Sequence, residues 1–276
     1  MYRLRCFGYP SLVASNGERI EVIERHPKRF AVLIHLACRD RVPRMQREAI
    51  LPVFWPESDE SHARNALRQS IFCLREFLGP GVLLGRDDGE LAVDPAKLHC
   101  DLWDFRAQVR EKRWPEVCAT DVRSFLRDFS VRDAEPFMDW IDQVRLEVAA
   151  AATRGWSVQA RAAEACRDFA SAGAAWARAL DLAPHSEVYL RQMVSALVAA
   201  GDRAAAAEAY DRFEWRLSAE LELAPTPMTR HHVQAALGGG SRSPFQGPGR
   251  VRPVTVRTFR GASLRSSSGP GGDPGP

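Results

Sequence analysis

Three observations predict an α+β domain followed by an all-α domain and a disordered tail. Residues 1–99 mix short β-type runs with three stretches of helical spacing and close on a hairpin signal. Residues 100–237 carry helical periodicity and almost no strand signal, while residues 238–276 are rich in Gly, Ser, Pro and Arg. The 276 residues, 45% apolar and 26% charged, suffice for two domains of ordinary size.

YRLRCF and SLVAS flank Gly8-Tyr9-Pro10 and read as strands. Asn16-Gly17 separates SLVAS from ERIEVI and suits a type I′ hairpin turn, whose two central residues both need φ > 0. A small antiparallel sheet is expected here. HPKRFAVLIHLACR sets Phe30, Leu33, Ile34 and Ala37 at helical spacing. RMQREAILPVFW does the same with Met45, Ala49, Ile50 and Phe54, and Pro52 should weaken its last turn. The third helix is WPESDESHARNALRQSIFCLREFLG. Ser58 is its expected N-cap, and Asp59 and Glu60 occupy the first turn, where the helix dipole favours acids. Gly79-Pro80-Gly81 ends it. VLLG and ELAVD then bracket Arg86-Asp87-Asp88-Gly89 as a hairpin. Sheet, three helices and hairpin is the order of a winged helix-turn-helix, with the last hairpin as the wing.

Alanine-rich periodic segments run from Phe137 to Leu182 and from Ser186 to Leu223, joined by short Pro or Gly-Asp breaks. Ala172 and Trp176 recur 34 residues later as Ala206 and Tyr210, a tetratricopeptide-like period. Trp156, Ala160, Ala179 and Pro184 fit the first repeat; Leu190 and Gly201 fit the second, where Phe213 and Ser218 replace the expected Ala and Pro. Trp156, Trp176 and Tyr210 are expected in the helical core. The tail from Gly238 onward cannot bury enough apolar surface to order itself.

Net charge is informative once divided. The tail holds six arginines and one acid, leaving residues 1–237 with 32 basic and 34 acidic side chains. The ordered part is therefore near neutral, and nucleic-acid affinity would have to come from local patches. Cys6, Cys38, Cys73, Cys100, Cys118 and Cys166 show no C-x-x-C pair. Their spacing suits neither a zinc site nor a disulfide scaffold, so free thiols in a reducing cytoplasm are expected. There is no apolar run of membrane length, and MYRLRCFGYP does not read as a signal peptide. Phosphate-loop, zinc-protease, nucleophile-elbow and dinucleotide motifs are all missing, so no enzyme activity, metal or cofactor is expected. His231 and His232, adjacent on one helix, face about 100° apart and do not suit a shared metal.

WPESDESHARNALRQSIFCLREFLG, SFLRDFSVRDAEPFMDWIDQVR and AAGDRAAAAEAYDRFEWRLSAELELAPTP, in that order, resemble the bacterial transcriptional activator domain family, the SARP-type antibiotic regulatory activators. The resemblance covers roughly residues 2–237. It implies an α+β N-terminal winged helix-turn-helix of OmpR/PhoB-like type (residues 1–99), followed by an all-α tetratricopeptide-like helical domain (residues 100–237) and a disordered C-terminal tail (residues 238–276). It further implies a cytoplasmic activator that binds direct repeats in double-stranded promoter DNA. The helical domain would serve self-association, as in a homodimer, or contact with RNA polymerase or another protein. The acidic segment around Asp133, Glu135 and Asp139 matches a family signature at a bend between helices.

On a helical wheel the third helix turns Ala63, Leu67, Ser70, Ile71, Leu74, Phe77 and Leu78 toward the core. Its other side carries Arg64, Arg68 and Arg75, beside Asn65, Gln69, Phe72 and Glu76. Arginine can pair bidentately with guanine, and Asn or Gln with adenine. Arg64, Asn65, Arg68, Gln69, Phe72 and Arg75, with Arg86 on the wing, form the candidate DNA-contacting set. Lys28 and Arg29 could reach a phosphate. Relatives end this helix with a more basic run where this chain has Cys73-Leu74-Arg75-Glu76. That departure supports a competing reading, an interaction adaptor whose winged helix no longer binds DNA.

Overall fold

The computed structural model describes residues 1–39, 44–85 and 89–238. The N-terminal elements are β1 (Tyr2–Arg5), β2 (Ser11–Val13), α1 (Glu21–Glu24), α2 (Pro27–Ala37), β3 (Met45–Gln46) and α3 (Arg47–Phe54). They continue through α4 (Glu60–Leu78), β4 (Leu83–Leu84), β5 (Glu90–Val93) and β6 (Leu98–Cys100). Two three-stranded sheets result. In the order β2-β1-β6, β1 runs antiparallel to β2 and parallel to β6, so Leu4 lies opposite both Leu12 and Cys100. The other sheet, β3-β5-β4, is antiparallel, with Leu91 opposite Met45 and Val93 opposite Leu83.

The expected type I′ hairpin does not form. Only Gly17 takes positive φ, at 86°, whereas Asn16 stays outside that region and its Oδ1 accepts the Glu18 N–H at 3.0 Å. ERIEVI contributes one bridge, Arg19 to Val13, and then coils into α1. The reason is tertiary: Glu24, on the helical turn, accepts the Leu12 N–H at 3.0 Å and pairs with Arg19 at 2.6 Å. Pro52 sits inside α3, and the helix stops two residues later at Phe54, as a proline that withholds one N–H should enforce.

The helical remainder comprises α5 (Asp101–Arg110), α6 (Trp114–Ala119), a 3-10 turn at Val122–Ser124 and α7 (Glu135–Ala165). It continues as α8 (Phe169–Leu182), α9 (Glu187–Ala199), α10 (Arg203–Leu221) and α11 (Pro227–Ala236). Links of four and three residues return α9 onto α8 and α10 onto α9. Gly173 permits the first approach: a Cβ there would lie 3.0 Å from Leu197 Cδ2. Trp176 is fully buried and donates its indole N–H to Glu164 at 2.7 Å. Trp156 and Tyr210 lie at the margin of this core, and Phe213 is the buried aromatic of the second unit. Among the described residues, no helix is long and apolar enough to cross a membrane.

Two cores organise these elements. One runs from Leu4 to Ala152 and takes in the first half of α7; the other runs from Ala160 to Val233. The first is centred on aromatic rings: Phe137 lies 4.9 Å from Phe54, 5.5 Å from Trp140 and 6.4 Å from Phe129. His35, 1% exposed, packs edge-on to Trp140 at 4.6 Å, and neither ring nitrogen has a hydrogen-bond partner.

Burial, with Arg39 nearby, pushes the His35 imidazole down to about 3. The folded protein thus keeps His35 neutral where the unfolded chain, with an ordinary value of about 6.5, takes up a proton. Stability is expected to fall with pH between those values, by at most about 1.4 kcal/mol per unit from this group. Asp101 acts in the opposite sense. Burial and then Cys100 push its carboxyl up to about 6, so the folded state holds the extra proton between about 3.9 and 6. Urea denaturation at several pH values should show a flatter acid limb in His35→Leu than in the parent protein. An unchanged limb would mean that the imidazole is protonated inside the fold.

Candidate nucleic-acid interface

The helix α4 begins one residue later than its sequence suggests. Asp59, not Ser58, is the cap; its carboxylate accepts the His62 N–H at 3.0 Å and also meets the His62 ring. Those bonds, the backbone one first, hold the Asp59 carboxyl well below the usual carboxylate range. A carboxylate is the better cap because it also faces the positive end of the dipole. At the other end Gly79 adopts φ 76°, which a side chain would resist.

Ala63, Leu67, Ser70, Ile71, Leu74 and Leu78 are buried, which fixes the rotation of the helix. Phe77 departs from the wheel and is 41% exposed. Arg64, Asn65, Arg68, Gln69, Phe72 and Glu76 are exposed on the opposite side, and Arg75 is half-buried. Two neighbouring rows result: Arg64, Arg68, Phe72 and Arg75 form one, and Asn65, Gln69 and Glu76 form the other. From Arg64 to Arg75 the face extends about 16 Å at 1.5 Å per residue, a length that fits within a major groove.

The arginines differ in their commitments. Arg64 pairs with Glu60 at 2.6 Å, but both side chains are more than half exposed. Such a pair contributes at most about 1 kcal/mol, so Arg64 is available to a stronger ligand. Arg68 makes a single long contact, 3.4 Å, to Asn65 Oδ1. Arg75 instead donates to the Gly85 carbonyl at the base of the hairpin. It links α4 to β4 rather than standing clear in solvent. Phe72, 61% exposed, is an unpartnered aromatic in the middle of the face.

Arg86, Asp87 and Asp88 at the hairpin tip lie outside the described residues. Lys28 donates to the Asp133 carbonyl at 3.1 Å and sits 5.8 Å from the Trp55 ring centre, so it is engaged where α2 meets the lead-in to α7. Arg29 is half-buried. The Glu60–Arg64 pair could have been read from its i, i+4 spacing. The Arg75–Gly85 contact could not, because it depends on the hairpin folding back along the helix.

Comparison with known proteins bears on the helical half first. Residues 121–237 match the bacterial transcriptional activator domain. No curated protein matches the chain. Among solved structures, Mycobacterium tuberculosis EmbR, in complex with a low-affinity phosphopeptide, is similar with a TM-score of 0.58 and 19% identity. The similarity covers 87% of this chain and 66% of that one, so this chain spans slightly less than two thirds of its length. An alignment over 87% of the chain necessarily reaches beyond residues 121–237, and at 19% identity it is a likeness of fold. Over residues 121–237, then, the chain carries a bacterial transcriptional activator domain.

Proposed function

We propose that the protein is a sequence-specific DNA-binding transcriptional regulator, an activator acting on direct repeats in promoters. In this reading the N-terminal elements are a winged helix-turn-helix: α3 and α4 are the helical pair, α4 lies in the major groove, and β4 with β5 forms the wing. The helices from α7 onward are a tetratricopeptide-like domain for self-association or contact with the transcription machinery. One observation carries the reading: ahead of a transcriptional activator domain stands a helix whose buried face is fully used. Its outer face presents Arg64, Asn65, Arg68 and Gln69 together, the side chains suited to base edges.

The adaptor reading is favoured by a different observation. Arg75 is tied to Gly85, Glu76 faces outward, and Phe72 exposes an aromatic ring, which is a protein-binding feature as much as a DNA-binding one. The test is selection of bound genomic fragments by the full chain at two salt concentrations. Enrichment of a repeated motif that weakens as salt rises is the expected result. No enrichment by a folded sample at low salt overturns the regulator reading in favour of the adaptor.

A further inference from the structure

Three cysteines that are far apart in sequence meet at one point in the first core. Cys6 follows β1, Cys38 closes α2, and Cys100 ends β6 where α5 begins. Their sulfurs are 3.4 Å apart for Cys6 and Cys38, and 3.9 Å apart for each of the other two pairs. All three are fully buried free thiols. A single buried cysteine acts as a small apolar residue. Three with their sulfur atoms converging form a donor set, and separations of 32 and 62 residues hide it from any motif search.

We propose that Cys6, Cys38 and Cys100 form a three-coordinate thiolate site for a soft monovalent metal ion, copper(I). The distances support this. Metal–thiolate bonds of about 2.3 Å spread at 120° require sulfurs about 4.0 Å apart. Two edges of the triangle already measure 3.9 Å, and the third must open from 3.4 Å. The donor set is also selective. Zinc takes four ligands in structural sites, and the further donor beside Cys100 is already occupied. That group is the Asp101 carboxylate, 4.0 Å from Cys100 Sγ, which accepts N–H bonds from Cys6 at 2.8 and 2.9 Å and from Phe7 at 3.1 Å. Oxygen-seeking cations find no open ligand among the three sulfurs, whereas thiolates select copper(I).

The site is also prepared for deprotonation. Cys100 stands at the N-terminus of the ten-residue helix α5, where the dipole favours a thiolate. Binding forms three Cu–S bonds without a change of oxidation state, and the three thiols release their protons to solvent as they become thiolates. Access is through a cleft of about 760 Å³ between α5 and α7, which reaches Cys38 and is lined in part by Phe105, Arg106, Val109 and Trp140.

The experiment uses the full chain with Cys73, Cys118 and Cys166 replaced by serine, reduced under inert gas. It is titrated with copper(I) against a colorimetric copper(I) chelator. One equivalent should be retained, with three sulfur neighbours at about 2.3 Å by X-ray absorption and a raised melting temperature. Adding Cys100→Ser should weaken retention by more than the roughly 10–100-fold typical of losing an outer-shell partner. If that variant does not fold, the sulfur count on the parent decides alone. No copper retained by folded protein, fewer than three sulfur neighbours, or preference for zinc(II) over copper(I) would each overturn the proposal.

Discussion

Replacing Arg64 and Arg68 together by alanine should weaken operator binding by roughly 2–6 kcal/mol, about 30-fold to more than 10,000-fold. Each arginine reaching a guanine supplies about 1–3 kcal/mol of discrimination. The cost to the fold is small, because both side chains stand outside the core and alanine is a better helix former than arginine. Glu60 loses its partner, but in an exposed pair of little value. The slope of log affinity against log salt should also flatten, as two cations leave the interface. Fluorescence anisotropy on the enriched operator, with circular dichroism to confirm the fold, measures both quantities. Unchanged affinity would remove α4 from the DNA interface altogether.

Replacing Phe137 by alanine should lower stability by about 3–5 kcal/mol. Phe137 is fully buried in the ring cluster, where it touches Phe54, Trp140, Phe129 and His35. The neighbours belong to separate backbone elements and cannot close together on the void. A shift of about 2–4 °C in melting temperature per kcal/mol is typical for a unit of this size. Phe54 is the last residue of α3, so the lost contact also loosens the support behind α4. Urea unfolding should therefore show a lower midpoint, and operator binding should weaken at temperatures where the parent protein still binds. A loss below about 1 kcal/mol would mean that the cluster contributes packing without cohesion.

Much of this architecture was legible in the sequence because it is set by local periodicity. The ladder from Ala63 to Leu78 specifies both α4 and its buried face, and Gly79 marks its end. The 34-residue echo of Ala172 and Trp176 in Ala206 and Tyr210 located the stacked helices. What escaped was set by contacts between distant segments. The pairing of β1 with β6 joins residues nearly a hundred positions apart, and α1 replaces a strand because Glu24 binds the Leu12 amide. Phe77 shows the limit of a wheel: it belongs to the apolar arc by angle, yet lies beyond the edge of what the core covers. The candidate DNA-contacting residues were named by chemistry alone, and only the structure separates Arg68, lightly held, from Arg75, which braces the hairpin.

The helix α7 is 31 residues long, about 46 Å of continuous backbone. Its opening turns belong to the core behind α3, and its closing turns lead into the core of α8 to α11. Mechanically it is a lever arm clamped at both ends. A tilt of about 5° in such a rod displaces its far end by roughly 4 Å, more than one base-pair step. Under the proposed function, whatever grips the distal helices would also aim α4 by way of α3, and the spacing of two bound copies along a duplex would be set by the stiffness of one helix.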